Sequence, residues 1–141
     1  MAEHAHDQYG KLVLRSAAGA MLKDWGPPVE VDFGTASRGR IDGVVGDIAV
    51  EIESRTSKQV RGAVLDLLLH PAQKKLLILL PVHQSNVALC ADQCRYALAR
   101  FIDGDRFRVV VVEGHGYDQR LEVDSALVKA ALIELGMGAA L

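Results

Sequence analysis

Three carboxylates lie close together in this chain, Asp42, Glu51 and Glu53, and their spacing gives them chemical potential. They belong to the stretch Gly39 to Ser54, GRIDGVVGDIAVEIES, in which two short apolar runs meet at Gly46-Asp47. Gly followed by Asp between two strand-like runs predicts a two-residue hairpin turn with Gly in the first central position. That turn pairs Val45 with Ile48, Val44 with Ala49, Gly43 with Val50, and sets Asp42 opposite Glu51. Alternation along the strands then puts Ile41, Val45, Ile48, Val50 and Ile52 on one face and the three acids on the other. Like charges directly opposite each other are destabilising unless something neutralises them. A divalent cation would do so: Mg²⁺ takes hard oxygen ligands, one or two carboxylates among them, and completes its shell with water and phosphate. A metal held this way polarises phosphoryl oxygens and lowers the pKa of a bound water, which is the chemistry of phosphodiester hydrolysis. The alternative is a solvated strand face whose charges are offset by Arg40, which the same register sets opposite Glu53.

The surrounding pattern supplies the elements that must position this hairpin. Apolar residues from Leu12 to Trp25 recur at helical spacing, predicting a helix over Asp7–Trp25 stopped by Gly26-Pro27-Pro28, with Gly19 inside it allowing a close contact. Val29–Phe33 alternates and reads as a strand that the hairpin extends into a three-strand meander. Ser57 is a candidate cap for a helix over Lys58–Leu69, ended by His70-Pro71. The continuous run Leu76–Leu80 reads as a strand covered on both faces. A helix over Ser85–Ile102, a strand over Phe107–Val112 and a helix capped by Asp124 or Ser125 complete the order. The expected architecture is a single α/β domain over residues 1–141. Its central sheet is mixed, an antiparallel meander continued by crossover strands, with helices on both sides.

Composition bounds the function classes. The chain has 141 residues, half of them hydrophobic, and a formal net charge of −2, which speaks against tight nonspecific binding to nucleic acid. Two cysteines give no disulfide framework and fit a reducing, cytoplasmic setting. No signal peptide is legible in MAEHAHDQYG, and the apolar runs are too short for a membrane span. Cys90 and Cys94 read as buried core thiols rather than zinc ligands, His115 as a surface loop residue, and His4 and His6 as part of a frayed tail.

The order helix, meander, helix, strand, with Ile41-Asp42, Glu51-Ile52-Glu53 and then Lys58-Gln59, resembles the PD-(D/E)xK nuclease superfamily, over roughly Asp7 to Pro81. The resemblance implies a restriction-endonuclease-like core and a Mg²⁺- or Mn²⁺-dependent nuclease acting on DNA, with RNA as a further possible substrate. By it, Asp42 and Glu51 are metal ligands together with the main-chain carbonyl of Ile52. Glu53 takes the place of the usual lysine, a variant that some restriction enzymes use. Lys58, at the start of the following helix, would supply the missing lysine beside Gln59, and Glu53 and Lys58 would assist the attacking water. Arg38, Arg40, Arg55, Gln59 and Arg61 are candidate phosphate contacts. Cutting both strands needs two active sites, so a homodimer is expected. The Glu-for-Lys exchange leaves a second possibility, a catalytically inactive module of the same fold that binds nucleic acid or serves assembly.

Overall fold

The computed structural model describes residues 5–23, 30–32, 38–55, 57–83 and 85–138. His4, residues 25–29 and residues 33–37, on which several sequence expectations fall, lie outside them, as do the side chains of Arg38, Arg40, Ser57 and Lys58.

Helix α1 (Ala5–Ala18) forms because Tyr9, Val13, Leu14, Ala17 and Ala18 repeat on one face and are buried there. It stops seven residues short of the expected Trp25. Gly19 adopts φ 55°, the left-handed geometry that closes a helix, and a short 3₁₀ turn, Gly19–Met21, leads into strand β1 (Leu22–Lys23). Gly19 is thus a terminator and not a contact residue: no atom lies within 4 Å of where its Cβ would be. The close-contact glycine is Gly10. A Cβ there would sit 2.6 Å from Ile52 Cγ2, so its absence lets α1 lie directly on the strand that carries Glu51 and Glu53.

The meander has a different first strand from the one expected. β1 pairs antiparallel with β4 (Gly43–Val45), through Leu22 with Val45 and Lys23 with Val44. Glu30–Asp32, strand β2, leaves the central sheet and forms a separate two-stranded ribbon with β3 (Arg38–Arg40). Arg40 therefore faces Glu30 and not Glu53. The hairpin itself is as expected: β4 pairs with β5 (Ile48–Glu53) in the register Gly43–Val50, Val44–Ala49, Val45–Ile48, with Gly46 at φ 60° in the turn.

From β5 the chain turns to parallel crossovers. Helix α2 (Ser57–Leu69) leads to β6 (Lys74–Leu79), and α3 (Val87–Ala99) to β7 (Phe107–Val111). The central sheet has the order β1-β4-β5-β6-β7. It is an α/β fold with a mixed sheet flanked by helices. α1 and α4 (Leu121–Glu134) cover one face, on a core that includes Val45, Ile48, Val50, Leu76, Ile78 and Leu80. α2 and α3 cover the other, on Ala49, Leu77, Leu79 and Val109. Leu76 to Leu80 are each fully buried, alternating between the two cores, which is why that run carries no polar face. Cys90 and Cys94 are free and buried in the second core, as expected.

Helix α4 begins earlier than Asp124, and Asp124 is not its cap. Its fully buried carboxylate accepts from Tyr9 Oη (2.5 Å) and from the backbone N–H groups of Glu113 (2.7 Å) and Gly114 (2.9 Å). It thereby ties α1, α4 and the loop after β7 together. Burial, and then the hydrogen bond to Asp124, pushes the Tyr9 hydroxyl up to about 12. Among the described residues no helix is long and apolar enough to cross a membrane.

Candidate functional site

The regular pairing of the hairpin ends at Gly43, and the backbone bends at Asp42. This bend turns Ile41 into the α2/α3 core, onto the opposite face from the one strict alternation assigns it. It also aims the Asp42 carboxylate back along the sheet. The Asp42 N–H still donates to Val50 O (3.1 Å), while Asp42 Oδ2 accepts from the Ile52 N–H (2.7 Å). Asp42 is held at both ends by the strand it faces.

Glu51 is buried and its side chain hydrogen-bonds that of Asp42. Burial, the Asp42 charge and then Asp66 on α2 raise the Glu51 carboxyl far above the usual carboxylate range. Asp42 is raised as well, first by burial; the Ile52 N–H and the positive charge of Lys11 on α1 work in the opposite direction. Two acids in this arrangement cannot both be ionised without a cation, and a proton is the substitute.

The donor chemistry suits a hard cation. Two carboxylate groups converge, and the Ile52 carbonyl lies on the same side of β5: the Glu53 carbonyl accepts from Leu80 N–H on the β6 side, so Ile52, one residue back, presents its backbone to the Asp42 side. Among the described residues, no group of three His, Cys, Asp or Glu side chains gathers as a metal's donor set. A Mg²⁺ site with two carboxylates, a carbonyl and water fits what is present.

Glu53 has a different environment. Its buried carboxylate accepts from Ser54 N–H (3.1 Å), Arg55 N–H (2.9 Å) and Arg55 Nε (2.8 Å) through Oε1, and from Arg55 Nη2 (3.0 Å) through Oε2. The counter-charge expected from Arg40 is thus supplied by Arg55, two residues along the same chain. Arg55 is consequently an ion-pair partner of the site. Gln59 and Arg61 lie on the exposed side of α2, and Arg61 lines a groove between α2 and α3 with Cys90 and Cys94. Lys58 lies in the first turn of α2.

Three neighbours escaped the sequence reading. His6, far from being a frayed tail, is buried in α1 with Nδ1 2.6 Å from Ser54 Oγ. Asp7 accepts from the same Ser54 hydroxyl at 3.1 Å. Lys11, one residue past the close contact at Gly10, brings its charge to Asp42. A helical offset linked these residues to one another, but no spacing in the sequence linked them to the hairpin.

No protein-family model matches this chain, and neither a curated protein nor a solved structure is found to be similar to it.

Proposed function

We propose that the protein is a metal-dependent phosphodiesterase of the PD-(D/E)xK nuclease type with a restriction-endonuclease-like core, acting on DNA. The observation that carries this reading is the Asp42–Glu51 pair, Glu51 buried and Asp42 half-buried, held by the Ile52 amide at the end of the hairpin. Mg²⁺ or Mn²⁺, when bound, would polarise the scissile phosphate and acidify an attacking water. Asp42 and Glu51 would hold the ion together with the Ile52 carbonyl, and their burial makes a cation more favourable there than in an exposed site. Glu53 and Arg55 jointly occupy the place of the usual lysine. The positive charge that orients water and phosphate then falls to Lys11 from α1 and Lys58 from α2. Arg38, Arg40 and Arg61 would add sequence-neutral phosphate contacts, and a homodimer would supply the second active site that a double-strand break requires.

One observation favours a second reading, a catalytically silent nucleic-acid-binding or assembly module of the same fold. Glu53 is saturated by Arg55 and two backbone amides, which leaves little of its carboxylate for a water molecule.

Calorimetric titration of Mg²⁺ and Mn²⁺ into the wild type, Glu51→Gln and Asp42→Asn tests the metal site. Saturable heat in the wild type is expected to vanish in both variants; equal heats in all three would remove the basis of both readings. Plasmid nicking by the same three proteins separates them: nicking by the wild type alone supports the enzyme, and no nicking despite metal binding supports the silent module.

A further inference from the structure

We propose that His6 and His83 form a second cation site, selective for a borderline transition metal such as Zn²⁺ and separate from the Asp42–Glu51 pair. The two imidazoles, 77 residues apart in sequence, meet at the carboxyl-terminal edge of the parallel strands, where α/β folds bind their ligands. His6 lies in the first turn of α1, and His83 ends the short 3₁₀ turn Pro81–His83 that follows β6. Their Nε2 atoms are 3.3 Å apart, with the rings edge to face at 90°.

Proton bookkeeping fixes what His6 presents. Asp7 is acceptor-only when ionised, so the Ser54 hydroxyl donates to it (3.1 Å). Ser54 Oγ is then an acceptor for His6 Nδ1–H at 2.6 Å, and Asp7 Oδ1 itself lies 3.2 Å from the same nitrogen. With its proton on Nδ1, His6 turns the lone pair of Nε2 toward His83. A carboxylate or hydroxyl behind one ring nitrogen, orienting the other toward a cation, is the usual support of a metal-ligating histidine.

The spacing also fits. Two nitrogens about 2.0–2.1 Å from a tetrahedral centre lie about 3.3–3.4 Å apart, and the observed separation is 3.3 Å. The pair opens into a recess of about 290 Å³ lined by His6, Arg55, Val82, His83 and Tyr117, which has room for the water or substrate ligands that a two-histidine site leaves open. Imidazole nitrogen suits Zn²⁺, Co²⁺ or Cu²⁺ far better than Mg²⁺, so Mg²⁺ should not compete at the histidine pair. In the absence of a cation, His83 Nε2–H donates to His6 Nε2; to ligate, His83 passes that proton to solvent and takes one up on Nδ1, and its Nε2 lone pair then turns to the ion.

The test uses the full chain without an affinity tag. Co²⁺ is titrated while its visible absorption is followed, and Zn²⁺ affinity is measured by competition with a chromophoric chelator, with excess Mg²⁺ present. Wild type is expected to bind one equivalent. His83→Gln, a change at an exposed position, is expected to weaken binding tenfold or more, and Ser54→Ala roughly tenfold through loss of the support behind His6. Circular dichroism confirms that each variant is folded; should Ser54→Ala be unfolded, His83→Gln alone decides. No saturable binding by the wild type would reduce the contact to a simple hydrogen bond and overturn the proposal. So would Zn²⁺ binding of equal strength in folded His83→Gln, which would assign the metal to other ligands.

Discussion

Lys75 shows at the scale of a single residue how a charge placed for structural reasons leaves a pH signature. It is the second residue of β6 and almost fully buried, with Nζ donating to His70 O (2.5 Å), and burial lowers its pKa from 10.5 to about 8. The folded state therefore holds fewer protons than the unfolded chain between those two values, and stability contributed by this group rises with pH across that window. Below about pH 8 the cost of burying the ammonium is present in full. Lys75→Met is expected to raise stability at pH 7 on the order of 2–3 kcal/mol, less the value of the lost hydrogen bond. By pH 10 the gain should fall to well under half. Urea unfolding of both proteins at the two pH values measures this; a gain independent of pH would mean that the charge is not the cause. His70, held below its ordinary value by its own burial and by Lys75, is neutral at both pH values and does not confound the comparison. Residues of the site differ in how far they were legible beforehand. The register from Gly43–Val50 to Val45–Ile48 was legible, because a two-residue turn fixes it, whereas Asp42 reaches Glu51 through a bend beyond that ladder. Ile41 was misplaced, because alternation fails at the first residue beyond the ladder. Arg55 and His6 were not legible: their partners are chosen by a backbone turn after β5 and by helix docking, neither of which has a period.

At the scale of elements, the decisive contact is α1 lying on β5. A helix can approach a strand this closely only where it lacks a side chain, and Gly10 provides the gap against Ile52 and Leu80. Gly10→Ala sets two effects against each other. Alanine favours the helix by roughly 0.5–1 kcal/mol, and forcing a methyl group to within 2.6 Å of Ile52 Cγ2 costs about 1–3 kcal/mol. Overpacking is expected to win, giving a lower Tm in calorimetry. The same displacement moves Ile52 and Lys11 relative to Asp42, so on the proposed metal-site reading Mg²⁺ or Mn²⁺ affinity should fall along with stability. A surface control such as Ser16→Ala on α1 should alter neither. The element order was legible because β6 and the hairpin carry strong, distinct patterns. What was not legible was that the first helix would end at Gly19 and yield Leu22–Lys23 to the sheet edge. Two residues carry no period, and their place is decided by pairing with Val44 and Val45.

At the scale of the whole molecule, the question is how its sheet ends. β7 is the last strand of the central sheet, and an open edge is a template for association. Its ladder to β6 uses the carbonyls of Arg106 and its even-numbered neighbours, so the carbonyls of Phe107 and Val109 point outward. Both are covered by guanidinium groups: Arg108 Nη1 donates to Phe107 O (2.7 Å) and Arg95 Nη2 to Val109 O (2.8 Å). Arg95 reaches across from α3, where Asp92 also holds it at 3.0 Å. Removing it should uncover an apolar strand, Phe107–Val111, that is otherwise well suited to pairing with a second copy. Arg95→Ala is expected to show a weight-average mass that climbs with concentration in light scattering, while Asp92→Ala, which leaves the cap on Val109 in place, should behave as the wild type does. Wild-type behaviour of Arg95→Ala would show that the cap is incidental. If, as proposed, two copies bring Asp42–Glu51 pairs to opposite DNA strands, helical faces rather than this arginine-covered edge would join them, and α4, with Val123, Leu127 and Ile133 exposed along it, offers one such apolar face.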